Sequence, residues 1–138
     1  MLKNIPKIIP PDLLKILCEM GHGDEIVIAD GNFPSANYSK RVVYLPGNGA
    51  TEVLDAVLKL FPLDTYAQPL FLMEVMKGDT VETPIWDEYK QVVEKYSDAE
   101  FEQIDRFSFY ERAKKAYAVI ATGESALYAN IILKKGCC

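Results

Sequence analysis

The feature that most constrains the fold is a series of short, uninterrupted apolar runs rich in β-branched residues. The clearest run, EIVIA at 25–29, has turn residues on both sides and no alternation of polar and apolar positions. Such a run is typical of a strand buried on both faces, as in a parallel sheet with helices above and below it. Further strands are predicted at 41–45, 69–76, 101–104, 116–123 and 128–135.

Amphipathic patterns typical of helices separate several of these runs. The first pattern follows Pro10 and Pro11 and ends at Gly21, and a second has Thr51 as its predicted N-cap. Two more cover 85–96 and 105–116, the latter with Asp105 as its N-cap. Strands that alternate with helices indicate an α/β fold, here a three-layer α/β/α sandwich with a mainly parallel sheet. A length of 138 residues predicts a single domain, 1–138.

Charge and composition exclude several classes of partner. The chain has 15 basic and 20 acidic residues, for a net charge of -5, and no arginine-rich stripe that would bind nucleic acid. No apolar run approaches the ~18 residues that span a bilayer, so a membrane partner is not expected. The three cysteines form no disulfide framework, and Cys18 is predicted to be a buried structural thiol. These features predict a cytoplasmic protein.

Metal and cofactor motifs are missing from the sequence. One histidine and scattered cysteines do not match the usual zinc sites, and neither GxSxG, GxGxxG nor GxxxxGK[ST] occurs. The sequence therefore predicts no metal and no cofactor.

That one histidine, His22, stands between Gly21 and Gly23 in a predicted loop. The flanking glycines allow another group to approach closely, and an imidazole exchanges protons readily near neutral pH. His22 is therefore a candidate general acid or base, although a structural role is also open.

Asp30 directly follows the strand 25–29, at the edge where open α/β sheets bind ligands. The alternative is a local turn with Gly31 and Asn32. A five-residue strand at ~3.3 Å per residue would separate His22 from Asp30 by ~16 Å. A site that uses both residues is therefore expected at an oligomer interface, with the histidine coming from a neighbouring subunit.

Three further polar residues stand out. Arg106 lies in the first turn of a predicted helix, where it opposes the helix dipole. A salt bridge to Asp105 or Glu102 would explain it, and so would a polar ligand or a carboxylate across a subunit interface. Tyr128 and Asn130 alternate with an alanine in a predicted strand, so both should lie on one face, where a phenol and an amide suit sugar hydroxyls.

Three segments of the chain together resemble the D-ribose pyranase / L-fucose mutarotase family: GHGDEIVIADGNFP (21–34), RFSFYERAKKAYAVIATGE (106–124) and YANIILKKG (128–136). The resemblance covers nearly the whole chain. It implies a cofactor-independent isomerase that interconverts anomers of a free monosaccharide, with an α/β fold and a ring-shaped homo-oligomer, often a decamer. It also implies that His22 is the proton donor and that the sugar is bound by Asp30, Arg106, Tyr128, Ala129 and Asn130.

Within this family, Arg106 resembles the L-fucose branch, because D-ribose members typically have histidine there. Gly31 and Asn32 depart from the Ala-His of some fucose members, which changes one polar side chain near the sugar. The resemblance therefore implies an L-fucose mutarotase. A D-ribose pyranase and a non-catalytic sugar-binding module remain as alternatives.

Overall fold

The computed structural model describes residues 1–138 and contains five helices and six strands. The helices are α1 (Pro11–Glu19), α2 (Ser35–Tyr38), α3 (Ala50–Leu58), α4 (Pro84–Glu94) and α5 (Arg106–Lys115). The strands are β1 (Glu25–Ala29), β2 (Val42–Leu45), β3 (Leu70–Met73), β4 (Glu102–Ile104), β5 (Ala118–Thr122) and β6 (Ile131–Lys134). No helix has both the length and the apolar character needed to cross a membrane.

All six strands form one sheet in the order β2-β5-β1-β6-β3-β4. Every pairing is parallel except those of β6, which runs antiparallel to both β1 and β3. The predicted mainly parallel sheet is therefore confirmed. The reversed direction of β6 matters for the site, because it brings the residues before Ile131 to the carboxyl end of β1.

Helices cover both faces of the sheet, as the uninterrupted apolar strands predict. Ile26 and Ile28 of β1 face a large apolar cluster that includes residues of α1, α3 and α4. Val27 and Ala29 face a smaller cluster that includes Phe109 of α5. Successive side chains of a strand point to opposite faces, so β1 contributes to both layers of the core.

Helix α3 begins differently from the prediction. Its N-cap is Gly49, and Thr51 lies inside the first turn with a buried hydroxyl that has no hydrogen-bond partner. Two glutamate side chains accept from the first backbone N–H groups of the helix. Gly49 N–H donates to Glu52 Oε1 at 2.9 Å, and Ala50 N–H donates to Glu124 Oε1 at 3.1 Å. The Thr51 prediction was wrong because a distant glutamate takes over part of the capping.

Further predictions need correction, and strand β3 ends at Met73, three residues before the predicted end at 76. Cys18 is exposed, since it lies on the outer side of α1, away from the buried Leu13 and Leu17. Strand β6 begins at Ile131, so the predicted strand 128–135 is too long at its start. Tyr128 has a left-handed backbone with φ 55°, a conformation that does not continue a strand.

Candidate active site

The carboxyl end of β1 holds a buried pair of polar side chains, Asp30 and Asn130, which are 8% and 5% exposed. Asp30 N–H donates to Asn130 Oδ1 at 2.7 Å, and Asn130 Nδ2 donates to Asp30 Oδ2 at 3.2 Å. Asn32 N–H donates to Asp30 Oδ1 at 2.9 Å, so the local turn considered as an alternative role for Asp30 is present as well. These bonds fix both side chains in one orientation.

Burial raises the pKa of Asp30, and the nearby charge of Glu124 acts in the same direction against the hydrogen bonds from Asn32, Phe33 and Asn130. The carboxyl group borders an open depression of about 490 Å³ that is also lined by Tyr44. Because burial has removed water from this carboxylate, hydrogen-bond donors of a ligand in the depression would stabilise its negative charge.

The loop after Asp30 is held against the segment that follows β5. Gly31 N–H donates to the carbonyl oxygen of Glu124 at 2.8 Å, and a Cβ on Gly31 would lie 3.2 Å from that oxygen. The Glu124 side chain also accepts from Ala50 N–H at the start of α3. A side chain at position 31 would therefore fit only if the Glu124 carbonyl moved away by a few tenths of an ångström.

Tyr128 lies near this pair but is held by other elements. Its hydroxyl donates to Asp79 Oδ2 at 2.6 Å and accepts from Met76 N–H at 3.3 Å. Its carbonyl accepts from Trp86 Nε1 at 2.7 Å. Ala129 is fully buried, and its carbonyl accepts from the Tyr89 hydroxyl at 2.7 Å. The expected shared strand face of Tyr128 and Asn130 is therefore wrong, because both precede β6 and bind different neighbours.

Arg106 is exposed and forms neither of the salt bridges considered above. Asp105 instead caps α5 by accepting from Ser108 N–H, which confirms the predicted N-cap. Arg106 Nη1 lies 3.5 Å from Met76 Sδ, and its guanidinium carbon lies 5.6 Å from the centre of the Tyr110 ring. A sulfur atom and an aromatic face leave most of its donors available to a ligand.

His22 lies in the loop before β1 and is paired with Asp64, a residue that sequence analysis missed. The distance from His22 Nε2 to Asp64 Oδ1 is 3.1 Å, and the side chains are 46% and 4% exposed. Asp64 Oδ1 also accepts from Tyr66 N–H at 3.0 Å. This bond, together with His22, lowers the pKa of Asp64, so a carboxylate holds the exposed imidazole in place.

The structure does not bring His22 and Asp30 together. The first precedes β1 and the second follows it, so the five residues of the strand separate them by about 16 Å at ~3.3 Å each. On the His22 side the loop pairs with the end of β6, where Gly23 N–H donates to the Lys135 carbonyl. Within one chain, the sugar-binding candidates therefore lack the histidine.

A family model described as the RbsD / FucU transport protein family matches residues 3–138. The chain belongs to this RbsD / FucU family. A fucose mutarotase of Danio rerio is 48% identical over 143 residues, covering 99% of this chain and 94% of the relative.

Solved structures of other RbsD / FucU proteins share the fold. FucU from Bifidobacterium longum is 57% identical with a TM-score of 0.93, and the match covers 99% of both chains. A fucose mutarotase from Streptococcus pneumoniae in complex with L-fucose is 50% identical, with a TM-score of 0.93 and 99% of both chains covered. RbsD of Bacillus subtilis, complexed with D-ribose, is 27% identical with a TM-score of 0.73, covering 100% of this chain and 99% of RbsD.

Three acidic residues of this family member escaped sequence analysis: Asp64, Asp79 and Glu124. Asp64 and Asp79 lie in loops, where the turn residues around them predict a bend but no contact partner. Glu124 belongs to the segment quoted for the family resemblance, yet its contacts with Ala50 and Gly31 join positions 74 and 93 residues apart. No local pattern reports contacts of that range.

Proposed function

We propose that this chain interconverts the α and β anomers of L-fucose. The observation that carries the proposal is the joint presence of a desolvated carboxylate, Asp30, and an available guanidinium, Arg106, in a chain similar over its whole length to fucose mutarotases. The lower identity to the D-ribose complex, 27% against 50%, favours the fucose branch over a D-ribose pyranase.

The reaction needs only proton transfer and orientation. In ring opening, water takes the proton of the anomeric hydroxyl while the ring oxygen gains one; after rotation about the C1–C2 bond, closure returns the first proton to the anomeric oxygen and gives the other anomer. His22, oriented by Asp64, donates the proton to the ring oxygen and recovers it on closure. Asp30 and Arg106, with the segment Tyr128, Ala129 and Asn130, hold the hydroxyls so that the open chain is retained.

The complete site needs two subunits in this proposal, because one chain separates His22 from Asp30. Exposed aromatic residues flank both half-sites: Tyr66 (84% exposed) lies beside His22, while Tyr44 (63%) and Phe107 (75%) lie near Asp30 and Arg106. Large apolar side chains at a surface favour an interface. We therefore propose a ring-shaped homo-oligomer with composite sites, a decamer if the family resemblance extends to assembly.

The remaining parts of the proposal concern the whole chain. A single sheet that includes every strand, and a family match over 3–138, support one mutarotase domain at 1–138. We place the protein in the cytoplasm, in keeping with thiols that are not arranged as a disulfide framework.

Saturation-transfer NMR of anomer exchange tests the proposal, with L-fucose and D-ribose as substrates and with and without protein. We expect faster catalysed exchange for L-fucose, and Arg106→His should shift the ratio of rates toward D-ribose, because imidazole offers fewer donors and a shorter reach. A faster native rate on D-ribose would indicate a pyranase. Binding of L-fucose without catalysed exchange would indicate the sugar-binding module.

A further inference from the structure

We propose that Asp79 is a positioning residue of the sugar site and acts through the hydroxyl of Tyr128. This inference rests on the proposed function, because Tyr128 is a sugar ligand only if the site binds a sugar. Asp79 lies in the loop between β3 and α4, which no motif of the sequence singles out.

The contact is short and directional. Tyr128 donates its hydroxyl proton to Asp79 Oδ2 at 2.6 Å, within the range of charge-assisted O–H···O⁻ bonds. The hydroxyl oxygen also accepts from Met76 N–H at 3.3 Å. Because the Tyr128 hydroxyl donates its only proton to Asp79, it can act only as an acceptor toward a further partner. A sugar hydroxyl group can supply the proton for such a hydrogen bond.

The loop presents Asp79 in a defined orientation. Asp79 N–H donates to the Met76 carbonyl at 3.0 Å, and Gly78 supplies the left-handed residue of this turn with φ +90°. Asp79 Oδ1 accepts from Val81 N–H at 3.0 Å, which leaves Oδ2 for Tyr128. The bonds from Tyr128 and from Val81 lower the pKa of Asp79, so the carboxylate is charged at neutral pH.

The backbone of Tyr128 is fixed as firmly as its side chain. A tyrosine with φ 55° is uncommon and costs free energy, so it persists only where its surroundings hold it. Helix α4 does this through Trp86, whose Nε1 donates to the Tyr128 carbonyl at 2.7 Å. Since α4 fixes the backbone and Asp79 the hydroxyl, the ring has little freedom left. A tyrosine held in this way presents its hydroxyl oxygen to a bound sugar in one fixed orientation.

The same loop reaches a second sugar-binding candidate. Met76, which is 48% exposed, places Sδ 3.5 Å from Arg106 Nη1 while its N–H contacts the Tyr128 hydroxyl. Asp79 therefore anchors a loop that lies against both Tyr128 and Arg106. A purely structural role, in which the bond only fastens an exposed loop, is the competing explanation that the test must separate.

Four variants make that separation: Asp79→Ala, Asp79→Asn, Tyr128→Phe and, as a matched control, Glu82→Ala. Glu82 is an exposed carboxylate of the same loop whose side chain forms no hydrogen bond. We expect Asp79→Ala to lower kcat/KM for L-fucose by about tenfold. Asp79→Asn keeps an acceptor oxygen and should retain most of the activity, and Glu82→Ala should match the wild type. Combining Asp79→Ala with Tyr128→Phe should cost no more than Tyr128→Phe alone.

A spectroscopic readout accompanies the kinetics. The ring carbon that bears the hydroxyl of Tyr128 is assigned by NMR from the signal lost in Tyr128→Phe. In the wild type its titration should report a pKa above the ordinary 10.0, and Asp79→Ala should lower it. If the role of Asp79 is purely structural, Asp79→Ala should have a lower melting temperature but the same kcat/KM as Glu82→Ala, and that result overturns the proposal. Absence of L-fucose exchange by the wild type would instead overturn the proposed function.

Discussion

Mixing of two inactive variants gives a quantitative test of the composite site. His22→Ala removes the proposed proton donor and Asp30→Ala removes the buried carboxylate proposed to bind the sugar, so each homo-oligomer should be nearly inactive. The two residues lie at opposite ends of β1 and belong to different active sites if the sites are shared. Co-refolding equal amounts of the two variants would then place an intact His22 opposite an intact Asp30 in some of the sites.

The expected yield follows from counting. A composite site is intact when the subunit that supplies Asp30 is the His22→Ala variant and the neighbour that supplies His22 is the Asp30→Ala variant. Each choice has a chance of one half, so random mixing should restore about one quarter of the wild-type rate per site. A site contained within one chain would restore nothing, because every subunit carries one of the two lesions.

The assay is anomer exchange of L-fucose by saturation-transfer NMR, with light scattering to show that the mixed oligomer has the wild-type mass. Mixing without denaturation is the matched control, because unexchanged homo-oligomers should stay inactive. A co-refolded oligomer of correct mass with no recovered activity would refute the shared site. Recovery close to one quarter would also fix the number of subunits per site at two.

Three further changes test individual side chains. Asp64→Asn should slow exchange severalfold, since the exposed His22 loses the carboxylate that orients it; combined with His22→Ala it should add nothing, and an equal additional loss would exclude the pairing. Tyr89→Phe should lower the free energy of unfolding in urea by about 1–2 kcal/mol, because a buried backbone carbonyl loses its 2.7 Å donor; an unchanged transition midpoint would contradict this. The pKa of Asp30 is raised from 3.8, so as pH falls its carboxylate becomes protonated while the pH is still above 3.8. KM for L-fucose should therefore increase as the pH is lowered through this range, and Asp30→Asn should not show the increase. The folded state holds that proton more tightly than the unfolded chain, so this group's contribution to stability decreases as pH rises through the same window, which urea titrations at several pH values can measure.

The periodicity of the sequence predicts most of the sheet and its helices because burial on two faces leaves a direct trace in residue type. The strand 25–29 has the predicted bounds, and Asp105 caps α5 as expected. The errors fall where a distant residue decides the local structure. Thr51 has the side chain of a cap, but Glu124 supplies the acceptor at that helix end, so Gly49 takes the position.

In the candidate site, too, features set by the local sequence could be predicted and those set by distant residues could not. A position next to a strand end is readable from sequence, which is why His22 and Asp30 could be placed at opposite ends of β1. The contacts of Phe33 and Tyr110 were not readable in this way. The two rings, 77 residues apart in sequence, stack on each other at 5.4 Å, and Phe33 is only 8% exposed.

The direction of β6 explains why residues from the two ends of the chain meet in the site. A parallel sixth strand would carry residues 128–130 to the amino end of β1, beside His22. The antiparallel pairing of Ile28 with Ile131 brings them to its carboxyl end instead, where Asn130 binds Asp30. One reversed strand thus brings Asn130 to Asp30 and leaves His22, the proposed proton donor, at the other edge of the sheet. If the site is shared as proposed, a change at the Asp30 edge should alter sugar affinity without displacing His22 of the same chain, whereas a change in subunit packing should alter the proton transfer itself.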